Sequence, residues 1–235
     1  MIDFLAANLE HGRVKNFSNI KAILFDVDGT LFSSEGIIEQ IYRNEFRKFN
    51  ARYGKPAVIP GHDDIMAQIG KPVVKIFEAL APDLTVEERE TLGEIILNEL
   101  VTSILEGAGE HYEGVTKTIE NLSKKYRIFA ASNGRLPYVE AILKANEIYT
   151  FFEAIPHVDN LNIKNKNELV SSILKNYNLK SDDAVLIGDR TSDRDAALDN
   201  KCYFIACRYG HGGEEEWKGA HAFIDSITDL EKLLM

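Results

Sequence analysis

Ala22-Ile23-Leu24-Phe25-Asp26-Val27-Asp28-Gly29-Thr30 is the stretch that decides how this chain folds. Its first four residues form a short, uninterrupted apolar run, the pattern of a parallel strand buried on both faces. The run breaks into Asp-x-Asp-Gly, so two carboxylates two residues apart stand at the carboxyl end of a strand, where open α/β sheets bind their ligands. One such carboxylate can serve as nucleophile or metal ligand while the other gives and takes protons. Gly29 lets the chain turn sharply and present its amides to an anion. Phosphate chemistry is the reading that uses all of these features. An ordinary acidic turn uses only some of them. A calcium loop is excluded, because the positions that need an acidic or amide residue, Gly and Glu hold Thr30, Leu31 and Ile37.

Outward from that strand the pattern changes twice. From Ser33 to about Tyr112 the apolar spacing is helical and no strand is expected. Ile37, Ile41, Glu45 and Phe49 trace one helix, and short helices follow around Ile65–Ile69 and Val73–Leu80. Thr85 with Glu88 three residues on is a capping box that opens a long helix through Leu105. After Gly114, helix and strand alternate. The helix from Val115 to Lys125 leads to the strand Arg127–Ala131, which stops at Ser132-Asn133-Gly134, and a helix follows from about Pro137 to Ala145. The helix Asn167–Tyr177 leads to the strand Ala184–Ile187, which stops at Gly188-Asp189. A helix through Ala196–Leu198 and the strand Tyr203–Ala206 complete the unit.

This alternation predicts an α/β fold with a Rossmann-like, doubly wound parallel sheet. The core is expected over 19–32 and 113–235, an inserted α-helical cap over 33–112, and an N-terminal extension over 1–18 with weak helical spacing (Ile2, Leu5, Leu9).

The bulk composition narrows the partners. A formal charge of −10 over 235 residues argues against a polyanion-binding surface, so nucleic acid is not an expected partner. No apolar run approaches the ~20 residues of a membrane span, and the N-terminus does not read as a signal peptide. Cys202 and Cys207 flank one strand, are expected on opposite faces as buried thiols, and suit a reducing compartment. A cytoplasmic protein, monomer or homodimer, is expected.

Three strand ends thus carry polar clusters, Asp26/Asp28, Ser132/Asn133 and Asp189/Asp193, and a parallel sheet brings all three to one edge. Lys164 and Lys166 precede a helix that feeds the third of those strands. With these four segments in order, residues 21–234 resemble the haloacid dehalogenase superfamily. The resemblance is to its helical-cap branch and the phosphoglycolate-phosphatase-like group within it. The carrying motifs are Asp26-Val27-Asp28-Gly29-Thr30, Ser132-Asn133-Gly134 and Gly188-Asp189-Arg190-Thr191-Ser192-Asp193, with Arg208-Tyr209-Gly210-His211-Gly212 beyond them.

That resemblance implies a Mg²⁺-dependent phosphatase acting on a small phosphorylated metabolite through an aspartyl-phosphate. Asp26 would be the nucleophile and Asp28 the general acid and base. Asp26, the backbone carbonyl of Asp28, and Asp189 would hold Mg²⁺, with Asp193 behind them orienting the ligands. Ser132 and Asn133 would cradle the phosphate, and Lys71 and Arg135 are candidates for a second anionic group of the substrate. The motif lysine is either Lys164, by spacing, or Lys166, which matches Lys-x-Glu-aliphatic in Lys166-Asn167-Glu168-Leu169 and is preferred.

Other residues read as structure. His157-Val158-Asp159 is loop polarity, His62 lies in an N-cap region, and Trp217 is a surface or edge aromatic. Two rival functions remain. A phosphomutase of the β-phosphoglucomutase type would tend to carry Glu-Asp where this chain has Gly188-Asp189. A silent binding protein would have lost Asp26, the lysine or Asp189, and all are retained.

Overall fold

Apolar runs too short for helices become the strands of one parallel sheet in the computed structural model, which describes residues 17–55, 57–157 and 163–235. The expected helix around Ile2, Leu5 and Leu9 lies outside the described residues, as does Asp159. Strand β1 is Ala22–Phe25, and β4 (Arg127–Ala130), β5 (Ala184–Gly188), β6 (Tyr203–Cys207) and β7 (Ala222–Ile224) complete the sheet. The order is β4-β1-β5-β6-β7, with every pairing parallel.

The chain crosses from β1 to β4 on one side and then returns to build outward from β1 through β5. The winding therefore reverses beside β1, and a crevice opens at the carboxyl ends of β1 and β5. Asp26 directly follows β1, and Asp189 directly follows β5. The three-residue β7 has no counterpart in the sequence-based expectation.

Alternate residues of each strand feed two apolar layers. Ile23, Phe25, Ile128, Val185, Ile187 and Ile205 face one side, which helices α5 (Val115–Ser123), α6 (Leu136–Ala145) and α9 (Asp229–Leu234) cover. Leu24, Phe129, Leu186 and Phe204 face the other, covered by α7 (Lys166–Asn176) and α8 (Thr191–Asp199). The two cysteines are buried, unbridged and divided between these layers, Cys207 in the first and Cys202 in the second.

Between β1 and β4 lie the helices α1 (Glu35–Tyr53), α2 (His62–Met66), α3 (Val73–Leu80) and α4 (Val86–Leu105). Thr85 caps α4 as its sequence dictates: the Thr85 hydroxyl accepts from the Glu88 amide at 3.3 Å and the Glu88 carboxylate accepts from the Thr85 amide at 3.0 Å. Contrary to the all-helical expectation for this segment, its ends meet in an antiparallel ribbon of β2 (Phe32–Ser33) and β3 (Glu110–His111). Two-residue strands carry no periodicity that a sequence could reveal. No helix among the described residues is long and apolar enough to cross a membrane.

Candidate active site

The turn after β1 is built to bring its backbone against β5. Gly29 has φ +83°, and a Cβ there would stand 2.6 Å from Asp189 Oδ2, so both its conformation and its closeness to Asp189 require glycine. The carbonyl of Val27 accepts from the Leu31 amide at 2.8 Å and closes the loop.

Asp26, Asp189 and Asp193 converge beneath this turn, each offering a carboxylate oxygen within 4.8 Å of the others'. All three are buried, and so is the cation that joins two of them. Lys166, 2% exposed, donates to Asp26 Oδ1 at 2.7 Å and to Asp193 Oδ1 at 2.5 Å. It opens α7 because Asn165 caps that helix, accepting from the Glu168 amide at 3.0 Å. Lys164, two residues earlier, is exposed, and its backbone amide donates to Glu168.

Asp193 is committed on both oxygens: its Oδ2 accepts from the Arg190 amide at 2.9 Å and caps α8. Asp189 Oδ2 accepts from the amides of His211 (2.7 Å) and Gly212 (3.1 Å). Asp189 Oδ1 is buried and has no hydrogen-bond partner.

Three buried carboxylates share one ammonium, and the electrostatics show the imbalance. Burial, then the Asp193 and Asp189 charges, push Asp26 up to about 8 against the pull of Lys166. Burial and Asp193 push Asp189 up to about 7, against the pull of His211. Burial disfavours the charged form of Lys166, but Asp193 and Asp26 outweigh it and hold the lysine protonated. An orphaned buried oxygen amid excess negative charge is the donor set that suits a hard divalent cation.

Asp28 stands across from this cluster and is held from three sides. Its oxygens accept from the Ser34 amide (3.1 Å), the Ser34 hydroxyl (2.7 Å) and the Tyr138 hydroxyl (3.0 Å). Burial and the Asp28 charge keep Tyr138 protonated, and therefore a donor. The His211 ring lies 3.8 Å from Asp28 and 3.6 Å from Glu35. Burial opposes its charge, but Asp28, Asp189 and Glu35 raise its pKa above the ordinary histidine value.

Beyond β4, Ser132 Oγ accepts from the Gly134 amide at 3.0 Å, and Asn133 donates to the Gly70 carbonyl of the helical segment at 2.8 Å. Lys71 is exposed at the edge of the site and donates to Gln68 at 3.0 Å, while Arg135 donates to Glu94 of α4 at 2.5 Å.

Residues 20–199 match the haloacid dehalogenase-like hydrolase family. The chain belongs to that family. The pyrophosphatase PpaX of Listeria monocytogenes serotype 4b is 27% identical to this hydrolase over 179 residues, 75% of this chain and 78% of its own. A predicted phosphatase from Clostridium acetobutylicum has a TM-score of 0.75 at 25% identity, covering 91% of this chain and 97% of its own. A predicted phosphoglycolate phosphatase from Haemophilus somnus 129PT has a TM-score of 0.77 at 20% identity, covering 93% and 99%, and shows the shared fold.

Four residues of this hydrolase's site escape a reading by motif. Ser34 reads as a helix start, and Tyr138 is 110 residues from the carboxylate it holds. His211 lies in a run recognisable only as a pattern. Trp217 corrects an expectation: it is 8% exposed, and its indole Nε1 donates to the Asp189 carbonyl at 2.7 Å. The acidic run before it suggests surface, but the chain folds back beneath β5. Gly212 is pressed as closely, since a Cβ there would lie 1.8 Å from the same carbonyl oxygen.

Proposed function

We propose that this hydrolase is a Mg²⁺-dependent phosphatase of small phosphorylated metabolites that works through an aspartyl-phosphate on Asp26. The observation that carries the reading is the pairing of Asp26 with Lys166 at 2.7 Å, opposite an Asp28 that three donors hold in place. Lys166 orients Asp26 and pulls its pKa down against burial and Asp193, and a dication bound beside it would complete the ionisation that a nucleophile needs. An Asp26 oxygen attacks phosphorus, the bond from phosphorus to the ester oxygen breaks, and the Asp28 carboxyl gives its proton to the departing alkoxide. Asp28, now a carboxylate, takes a proton from water as the water oxygen attacks phosphorus and the acyl-phosphate bond to Asp26 breaks. Two displacements divide a barrier that otherwise calls for up to ~10²¹-fold acceleration.

Asp26, the backbone carbonyl of Asp28, and Asp189 would hold Mg²⁺, with Asp193 fixing Lys166 behind them. Bound there, the ion would offset the carboxylates and the phosphate charge. The Ser132 hydroxyl and nearby amides would donate to the phosphoryl oxygens. The segment over 33–112 acts as a cap, tied to the core where Asn133 meets the Gly70 carbonyl.

Hydrolysis is favoured over a mutase by Gly188. A Cβ there would stand 2.3 Å from Asp193 Cγ, which leaves no room for the glutamate expected of the mutase pattern. The relatives' names, pyrophosphatase and phosphoglycolate phosphatase, share cleavage at phosphorus and leave the substrate open. Phosphate release from a panel of phosphate esters, with Mg²⁺ and with EDTA, tests the reading. Metal-dependent release that disappears in Asp26→Asn supports it; release that survives in Asp26→Asn refutes the nucleophile.

A further inference from the structure

The room that would receive the leaving alcohol is apolar. A cavity of about 80 Å³ opens on Asp26, Asp28 and Ser132 and runs up among the helices of the 33–112 segment. Its walls there are Ile38 and Tyr42 of α1, Ile76 and Phe77 of α3, and Ile96 and Leu100 of α4. Tyr42 and Phe77 stack with ring planes 5° apart and centroids at 5.9 Å, which makes one wall flat and rigid. Two cations border the cavity: Lys71 is exposed and bonded to Gln68, and Arg135 is bonded to Glu94. An anionic leaving group would have to leave water for walls that are mostly hydrocarbon, with Arg135 already paired with Glu94 and Lys71 held at the exposed edge by Gln68. An alkyl group would gain by the same move.

Resting on the phosphatase reading above, the geometry points to a narrower substrate class: phosphate monoesters of small, uncharged, apolar alcohols. Asp26 and its neighbours engage the phosphoryl group, and the cavity takes the carbon chain bonded to the ester oxygen. The same cavity reaches Asp26, Asp28 and Ser132 and so must also admit the phosphoryl group, which leaves room for a short carbon chain only, and it is smaller than the ~150 Å³ apolar cavity that admits benzene. Val73, half-buried at the start of α3, is one of the apolar residues that line the cavity.

Normal alkyl phosphates test this, because their leaving groups have nearly equal intrinsic reactivity from ethyl to octyl and differ in apolar length. With the wild-type enzyme in Mg²⁺, kcat/KM is expected to rise about three- to fourfold per methylene from methyl to propyl or butyl phosphate. It should then fall for hexyl and octyl phosphate, and phosphoglycolate and pyrophosphate should lie at least tenfold below the best alkyl ester. Val73→Lys should move the propyl phosphate to phosphoglycolate ratio at least tenfold toward the anion. A flat series, a preference of the wild type for either anionic compound, or an unmoved ratio in Val73→Lys overturns the apolar-alcohol assignment and leaves the phosphatase standing. Absence of Mg²⁺-dependent release from every ester overturns both.

Discussion

Removing the ammonium of Lys166 should damage this protein in a way that removing Lys164 does not. Lys166 bridges two carboxylates, Asp26 at 2.7 Å and Asp193 at 2.5 Å, and all three groups are at most 5% exposed. Truncating one partner of such a buried pair costs about 3–5 kcal/mol, because the remaining charge has neither water nor counter-ion. Lys166→Met keeps the volume of the stem, so the loss is electrostatic rather than a cavity. The cost must also depend on pH. Asp26 has a folded pKa near 8 against 3.8 for an unperturbed carboxyl, and losing Lys166 raises it further. A carboxyl with a raised folded pKa contributes stability that is fully present below about 3.8 and is lost as pH rises through the folded value. At pH 5 the variant can neutralise Asp26 by holding a proton; at pH 8 it does so at greater cost.

Urea unfolding in EDTA is the assay. Against wild type, Lys166→Met should lose about 3–5 kcal/mol at pH 8, a midpoint shift of about 1–2 M, and visibly less at pH 5. Lys164→Met, an exposed position, should stay within about 0.5 kcal/mol at both pH values. A Lys166→Met deficit below about 1 kcal/mol at pH 8, or one matched by Lys164→Met, would refute the reasoning and return the motif role to Lys164.

Three further outcomes follow from the same contacts. Asp26 and Asp189 carry folded pKa values of about 8 and about 7, so metal-free protein should lose stability, on the order of a few kcal/mol, between about pH 4 and pH 8. Mg²⁺ should therefore raise Tm more at pH 8 than at pH 5, and an equal Mg²⁺ effect at both would contradict the assignment. Tyr138→Phe removes one of three donors to Asp28 and should lower kcat about tenfold with KM within about twofold; unchanged kcat would show the hydroxyl to be passive. Trp217→Phe leaves the buried Asp189 carbonyl without its indole donor and should cost about 1–3 kcal/mol in thermal or urea unfolding, which a surface tryptophan would not.

What the sequence discloses of this fold is what local chemistry specifies. Ala22–Phe25 and Ala184–Gly188 are legible as strands because a parallel strand buried on both faces leaves an unbroken apolar run, and Arg127–Ala130 shows such a run after its first residue. Thr85 and Glu88 announce α4 because a capping box satisfies backbone groups three residues apart. The reading weakens where structure depends on distant partners. The ribbon of Phe32–Ser33 with Glu110–His111 and the short Ala222–Ile224 strand form by pairing, not by pattern. The same division runs through the site. Asp26, Asp28 and Asp189 sit at strand ends and can be found by motif. Tyr138 reaches Asp28 only because α6 packs against the sheet, and Trp217 reaches Asp189 only because the loop after β6 folds back.

Those distant contacts explain how so much charge can be buried at one sheet edge. Each carboxylate has donors of its own before any metal is considered: Asp193 has the start of α8 and Lys166, Asp189 has two loop amides, and Asp28 has Ser34 and Tyr138. What remains unanswered is local, the orphaned Asp189 oxygen and the raised Asp26 and Asp189, and one dication bound there would answer them together. The floor of the site is thus matched to charge, and the roof of Tyr42, Phe77, Ile96 and Leu100 to its absence. A substrate that satisfies both carries its charge at one end only. On that ground a phosphoryl group on an uncharged alcohol fits this enzyme better than a molecule with anions at both ends.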